Sequence, residues 1–193
     1  ILVTNEAGKV SIDRALIENG GSGGPMVDWG RVGGDVTRVT FRSSAGYPLA
    51  LPLSVANDVL LAAEVPDETA DADLRSKLEG NGTNRFLVRV DRNYTTSLSD
   101  WSDPGAPVEF DNTVVVTSPT QPLLTLNPGL RLVFRAGKSL DLGDGAVGRG
   151  SLLVNGDPAG ETVVTIGPVS AEEGWAGIRV RPASSLRATG AFE

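Results

Sequence analysis

The pattern that predicts the fold runs through residues Thr125–Val180: TLNPGLRLVFRAGKSLDLGDGAVGRGSLLVNGDPAGETVVTIGPVSAEEGWAGIRV. Short apolar runs alternate there with polar corners such as Asn127-Pro128-Gly129 and Asn155-Gly156-Asp157-Pro158. Successive apolar centres are about 8–12 residues apart, and three of them fill about 25 residues. Short strands joined by tight corners at this spacing are typical of one coil of a parallel β-helix, in which each coil stacks on the next.

The rest of the chain carries the same kind of pattern. Val36–Arg42 and Arg85–Val90 alternate between apolar and polar residues, as strands with one buried face do. No Asn-Gly hairpin stands between alternating strands, which counts against an antiparallel meander. The chain is therefore predicted to be all-β. We predict strands at Lys9–Ile17, Val36–Arg42, Asp58–Ala62, Arg85–Val90, Val108–Thr117, Leu123–Leu126, Arg131–Phe134, Ser139–Leu142, Ser151–Val154, Thr162–Ile166 and Gly177–Arg181.

The inward-facing residues of these strands follow from the alternation. We expect the interior to contain Val39, Phe41, Phe86, Val88, Val115, Leu132, Phe134, Leu140, Leu152, Val164 and Ile178. Trp175 is expected to cap this core at a corner.

One stretch, Thr69–Glu79, resembles a short helix on the outside of the molecule. Thr69 is a suitable N-cap, Leu74 and Leu78 are four residues apart, and Gly80 is a suitable stop. A long acidic loop ending at the turn Gly80-Asn81-Gly82 is the alternative, and the sequence leaves both open.

Composition excludes several classes of function. The chain has 193 residues and a formal net charge of −7, with neither Cys nor His. Nucleic-acid binding draws on clustered Lys and Arg, so the acidic balance argues against it. Without Cys and His there are no disulfides, thiolate or imidazole metal sites, or Ser-His-Asp triads. The longest apolar run, Pro48–Ala56, is far shorter than the roughly 20 residues of a membrane-spanning helix, so we expect no membrane insertion.

Four motifs in the second half of the chain carry a family resemblance: Pro128-Gly129, Gly137-Lys138-Ser139-Leu140, Gly150-Ser151-Leu152-Leu153-Val154-Asn155-Gly156 and Trp175-Ala176-Gly177-Ile178. They resemble a recurring module of secreted and cell-surface right-handed parallel β-helix proteins, which are pectate-lyase-like solenoids of unassigned function. Val36–Tyr47 is similar to coils of the same family, and Trp101–Val108 to its Trp…Gly-x-Pro connector. The resemblance implies a right-handed parallel β-helix without common catalytic residues.

We accordingly interpret residues 1–193 as a single β-helix domain or a segment of a longer one. Residues 1–100 and 101–193 would be two similar coil blocks, with a connector near residues 91–107. Because each end of a β-helix exposes unpaired backbone groups, neighbouring β-helix segments or further copies of the chain are the expected partners.

Candidate binding residues are an aromatic ring and a set of strand arginines. Trp29 lies in the loop Met26–Gly30 and is the best candidate for an exposed, sugar-stacking ring. Arg38, Arg42, Arg85 and Arg89 alternate outward from strands, as Arg179 and Arg181 do. We interpret these arginines mainly as cross-strand partners of Asp and Glu, and an anionic-sugar groove is the alternative.

Catalytic and metal sites are weakly indicated. Asp71 and Asp73 begin like a calcium loop, but neither its sixth-position Gly nor its twelfth-position Glu follows. We interpret them as part of a solvated acidic loop, with calcium as the alternative, and expect no other cofactor. The chain lacks the His of the Gly-His-Gly hydrolase signature, and Arg181–Arg187 has the wrong spacing for a lyase Arg motif. No residue is therefore assigned a catalytic role.

These observations predict a non-catalytic structural or adhesive segment of an extracellular or cell-surface protein, forming a stalk or filament by end-to-end stacking. The alternative is a carbohydrate-active β-helix, either a polysaccharide lyase or hydrolase, or a glycan-binding module.

Overall fold

The computed structural model describes residues 1–3, 8–61, 75–96, 99–119, 123–146, 148–156 and 163–189. These ranges contain nineteen short strands, one four-residue α-helix and one five-residue π-helical turn. In chain order the elements are β1 (Leu2–Val3), β2 (Lys9–Asp13), β3 (Leu16–Glu18), β4 (Val27–Trp29), β5 (Gly33–Thr37), β6 (Thr40–Arg42), β7 (Leu49–Pro52), α1 (Leu53–Ala56), the π-helical turn Asn57–Leu61, β8 (Lys77–Glu79), β9 (Phe86–Arg89), β10 (Ser99–Trp101), β11 (Val108–Phe110), β12 (Val114–Val116), β13 (Leu123–Leu126), β14 (Arg131–Phe134), β15 (Leu140–Leu142), β16 (Ser151–Asn155), β17 (Thr165–Pro168), β18 (Ile178–Val180) and β19 (Ser185–Thr189). None of the helices in this part of the chain is long and apolar enough to cross a membrane.

The strands form five sheets in which all pairs of these strands are parallel. The long sheet has seven strands in the order β1-β4-β7-β9-β11-β14-β17. The others are β10-β13-β16-β19, β12-β15-β18, β3-β6-β8 and β2-β5. Strand order within each sheet follows chain order, so the chain repeatedly leaves the long sheet and returns one strand further along. The fold is all-β as predicted, and the long sheet contains strands from both sides of residue 100.

A regular register stacks apolar side chains in the interior. In the long sheet, Val108 lies opposite Phe86 on one side and Leu132 on the other, and Leu132 lies opposite Ile166. All four side chains are buried. Each strand therefore buries its apolar face against the strands before and after it, which explains why the alternation in the sequence is preserved from strand to strand.

A column of aromatic rings continues this stacking. The ring of Phe110 lies 5.9 Å from that of Trp101 and 5.1 Å from that of Phe134, and Phe134 lies 5.5 Å from Trp175. The ring planes are within 23° of parallel in all three pairs. Trp175 is half-buried at one end of this column, where it packs on the core as predicted.

Nine of the eleven predicted interior residues are buried, and two are half-buried. Val115 was wrongly placed inside, because the buried side chains of β12 are Val114 and Val116 and the alternation turns Val115 outward. Ile178 packs against the core but is only half-buried, since β18 is the edge strand of its sheet.

Several predicted elements differ in the structure. The strands predicted at Lys9–Ile17, Val36–Arg42 and Val108–Thr117 are each interrupted by a corner, which separates β2 from β3, β5 from β6 and β11 from β12. At 69–79 the sequence left a short helix and an acidic loop open, and neither describes its last residues, because Lys77–Glu79 form β8 and pair with β6, with Leu78 opposite Phe41. Residues 69–74 lie outside the described residues. The strand predicted at Asp58–Ala62 is instead the π-helical turn Asn57–Leu61. Its residues 59–61 are all buried, and a short continuous apolar run does not distinguish a buried strand from a buried helix.

The corner before β11 requires glycine. Gly105 has a φ of +97°, and a Cβ at this position would lie 2.1 Å from the carbonyl oxygen of Ser76. The backbones of two successive rounds of the chain approach each other there too closely for any side chain.

Candidate functional site

Trp29, the predicted sugar-stacking ring, lies inside the protein. It is the last residue of β4, its side chain is 0% exposed, and its indole Nε1 donates a hydrogen bond of 2.8 Å to the carbonyl oxygen of Val32. The prediction of an exposed ring is therefore wrong. The segment is a strand rather than a loop, and its alternation turns Trp29 inward together with Val27.

Two of the four candidate arginines bind carboxylates about one round earlier in the chain: Arg42 does so from β6, and Arg38 from the corner between β5 and β6. Arg38 Nη2 donates to Asp13 Oδ2 at 2.5 Å, and this hydrogen bonding lowers the pKa of the Asp13 carboxyl. Arg42 Nε donates to Glu18 Oε2 at 3.0 Å, and this hydrogen bond raises the pKa of the Arg42 guanidinium. The interpretation as a cross-strand partner is confirmed for Arg42, which lies opposite Glu18 in the pairing of β3 with β6. Arg38 has the expected kind of partner, but it lies in a corner with a φ of +52° and not on a strand.

The other two candidate arginines form similar contacts on the outer face of the long sheet. Arg89 Nη2 forms an ion pair with Asp28, and it also donates to the carbonyl oxygen of Trp29 at 3.1 Å. Arg85 lies with its Nε 3.2 Å from Glu109 Oε2 and donates from Nη1 to the carbonyl oxygen of Val169. Their charges are thus matched within the protein.

Arg85 belongs to a group of polar side chains around one buried carboxylate, which we call the Glu109 cluster and which consists of Tyr47, Arg85, Glu109 and Arg135. Glu109 is only 1% exposed, although it points away from the core side chains Val108 and Phe110. Its Oε1 accepts hydrogen bonds from the hydroxyl of Tyr47 at 2.7 Å and from Arg135 Nε at 2.8 Å. Arg135 Nη2 also donates to the Tyr47 hydroxyl at 3.2 Å.

The electrostatics of the Glu109 cluster follow from this packing. Burial and the hydrogen bond to Glu109 raise the pKa of the Tyr47 phenol, so Tyr47 stays protonated and is a poor general base. The same carboxylate raises the pKa of Arg135. Two guanidinium groups face one carboxylate. Glu109 in β11 is thereby linked to residues that adjoin three other strands of the long sheet, β7, β9 and β14. It acts as a cross-link on the outer face of the long sheet.

The sequence contained only a faint signal for this cluster. Glu109 stands between two apolar strand residues, which places it on the outer face of a strand, but its partners are 62, 24 and 26 residues away along the chain. Asp141 has the same character on β15. It is buried and accepts from Ser139 Oγ at 2.6 Å, and Arg181 Nη2 lies 3.2 Å and Arg179 Nη1 3.9 Å from its Oδ2.

The edge strands expose apolar side chains. At one end Ile1, Leu2 and Leu16 are exposed, with Leu2 at 71% and Leu16 at 54%. At the other end Val180 and Leu186 are exposed, at 48% and 37%. Among the described residues these five are the only large hydrophobic side chains that are exposed, and all lie on or next to strands paired on one side only.

Comparisons with known proteins found no match for this chain among family models, curated proteins or solved structures.

A metal site finds no support in the part of the chain that the structure describes, which contains no group of three or more acidic side chains able to hold an ion. The predicted calcium ligands Asp71 and Asp73 lie outside the described residues.

Proposed function

We propose that the chain is a segment of a right-handed parallel β-helix with a structural, non-catalytic role. The architecture is supported by the parallel pairing of all the strands β1–β19 and by sheets whose strand order follows the chain. One isolated antiparallel bridge, Ser118–Arg149, lies outside these strands. The aromatic column in the interior gives the same support. Right-handedness is supported by the general rule that crossovers between parallel strands are right-handed in about 98% of cases.

The observation that carries the role is the pair of open ends. An edge strand presents unpaired N–H and C=O groups that accept another strand, and natural proteins usually protect such edges with charge, proline or a cover. Here the edges carry exposed Leu2, Leu16, Val180 and Leu186. We propose that these ends stack on neighbouring β-helix segments or on copies of the chain, giving a stalk, adhesin or filament.

An extracellular or cell-surface setting belongs to the same proposal. A rod without cysteine is indifferent to the redox state of its surroundings. Its net charge of −7 favours solubility. The strand arginines are paired with carboxylates and Trp29 is buried, so the surface first considered for glycans lacks both free cations and a stacking ring.

The test is the solution state of the chain, measured by light scattering over a concentration series and by electron microscopy. We expect end-to-end oligomers that grow with concentration. Leu16→Lys or Leu186→Lys should reduce them, because a lysine on an edge strand blocks further pairing. Asn112→Lys, in an exposed turn between β11 and β12, is the control and should leave them unchanged. A monomer at every concentration, or oligomers indifferent to both edge variants, would contradict the proposal.

A further inference from the structure

A polar recess of about 250 Å³ opens beside the helical segment 53–61. One wall is formed by that segment, and the other by residues 92–96, which follow β9. The π-helical turn packs against β5 and β10, so helix takes the place of a strand there. The recess is lined by side chains that the cross-strand ion pairs described above do not use.

The floor of the recess is held by a directed chain of hydrogen bonds. Trp101 Nε1 can only donate, and it donates to the hydroxyl of Tyr94 at 3.3 Å. The Tyr94 hydroxyl therefore has its proton free for Asn57 Oδ1, at 3.2 Å. The amide nitrogen of Asn57 then donates to Asp58 Oδ1 at 3.2 Å. Tyr94 is only 4% exposed, so this chain runs from the core to the recess and fixes Asn57 and Asp58.

The rim carries unused hydrogen-bonding groups with no net charge. Asn93, Thr95 and Thr96 are exposed, and their side chains have no hydrogen-bond partner in the described ranges. Asp58 and Arg92 contribute one negative and one positive charge, and the Nε of Arg92 lies 3.8 Å from Asp91. Amide, hydroxyl, carboxylate and guanidinium groups together offer both donors and acceptors at close quarters.

We propose that this recess binds one neutral sugar residue, either free or as a unit of a glycan. The balance of donors and acceptors matches a ligand rich in hydroxyl groups, and the cancelled charges give no preference for an anion. The volume lies just below the 300–1,000 Å³ range of drug-sized ligand pockets, so one sugar ring is the appropriate size. The site is separate from the edge strands and does not depend on end-to-end stacking.

The experiment measures saccharide binding to the full chain by calorimetry and by saturation-transfer NMR. The probes are neutral hexoses, N-acetylhexosamines and their short oligomers, with uronates and sulfated sugars as anionic comparators. We expect at least one neutral probe to bind saturably, and Asp58→Asn and Asn93→Ala each to weaken it by about tenfold or more. Asn112→Ala, the same amide removal in an exposed turn elsewhere, is the matched control and should bind like the unmodified chain.

Circular dichroism establishes that each variant is folded. Three results would overturn the proposal: no neutral probe binding at about 10 mM, a level at which even millimolar affinity is detected; binding unchanged in both recess variants; or tighter binding of an anionic probe than of every neutral one. None of these would alter the oligomerisation results, so the two proposals fail separately.

Discussion

Glu109 is the residue on which the polar contacts of the long sheet converge. Its carboxylate is buried. It forms ion pairs with Arg85 and Arg135 and accepts a hydrogen bond from the hydroxyl of Tyr47. Removing one partner of a buried ion pair costs more than the pair itself contributes, because the remaining charge is left without compensation. The energetic effect of burying a carboxylate can therefore be measured by comparing Glu109 with the more exposed carboxylates that also pair with arginine, such as Glu18.

We expect Glu109→Gln to lower the free energy of unfolding by about 1–3 kcal/mol, a value reduced from that of a fully buried pair because Arg85 and Arg135 are partly exposed. Urea unfolding followed by circular dichroism measures it. Glu18→Gln is the control, since it removes the same charge from an arginine pair at the surface and should cost much less. Equal losses in the two variants would show that burial of Glu109 is without energetic consequence.

Asp91 confers a dependence of stability on pH. Burial on its own would raise the pKa of this carboxyl, but hydrogen bonds from the Ser54 hydroxyl and amide, together with the charge of Arg31, bring it below its usual value of 3.8. A carboxyl with a lowered pKa in the folded state stabilises the protein above its unfolded pKa, and this contribution is lost as the pH falls through the folded pKa.

Asp91→Asn should therefore be less stable than the unmodified chain at pH 7, and the difference should shrink as the pH falls below about 4, the usual range of an aspartate. Thermal unfolding between pH 7 and pH 2.5 provides the comparison. Asp100→Asn is the matched control, since Asp100 is exposed and has no hydrogen-bond partner within the described ranges. A difference that stays constant across this pH range would disprove the role of Asp91.

At the scale of the elements, the close approach at Gly105 makes a specific prediction. Gly105→Ala introduces both an unfavourable φ and a Cβ 2.1 Å from the Ser76 carbonyl oxygen, whereas Gly137→Ala introduces a positive φ with no atom within 4 Å. The φ alone costs about 1–2 kcal/mol. We expect Gly137→Ala to lose about that much and Gly105→Ala clearly more, as measured by urea unfolding. Equal losses would mean that the corner relaxes without cost.

The positions of the strands were predictable in part from the short apolar runs, although the alternation of Val36–Arg42 is divided between β5 and β6 at Arg38, whose φ is +52°. Leu123–Leu126 and Arg131–Phe134 have the predicted bounds, because apolar side chains that stack strand upon strand leave a clear pattern in the sequence. Short strands left no such pattern: Val27–Trp29 and Lys77–Glu79 have three residues each and are fixed by pairing with neighbouring strands. Trp29 was misplaced for this reason.

The polar sites were less predictable than the strands. The Tyr47–Glu109 contact joins residues 62 apart, and the Arg135–Tyr47 contact joins residues 88 apart. Only the register of the folded sheets brings such residues together. The arginine pairs were predictable because Arg38 and Arg42 bind carboxylates about one round of the chain earlier, on strands whose outer faces the alternation identifies.

For the whole molecule, we expect no turnover of polysaccharides. The buried carboxylate Glu109 is neutralised by two arginines, and Tyr47 is a poor base because its pKa is raised. A screen of acidic and neutral polysaccharides should therefore release neither new reducing ends nor unsaturated products. Turnover that is present in the unmodified chain and lost in Tyr47→Phe would establish an active site at the Glu109 cluster.

The register of the sheets also bears on how the chain folds while it is being made. A strand finds its partner a short distance along the sequence, from 22 residues between Val27 and Leu49 to 38 between Leu140 and Ile178. At a ribosomal rate of about 5–20 residues per second, each new round emerges within about 1–8 seconds of the one before it. Apart from the first strand of each sheet, every strand thus emerges after the strand on which it pairs, so the sheets grow in the order in which the chain is made.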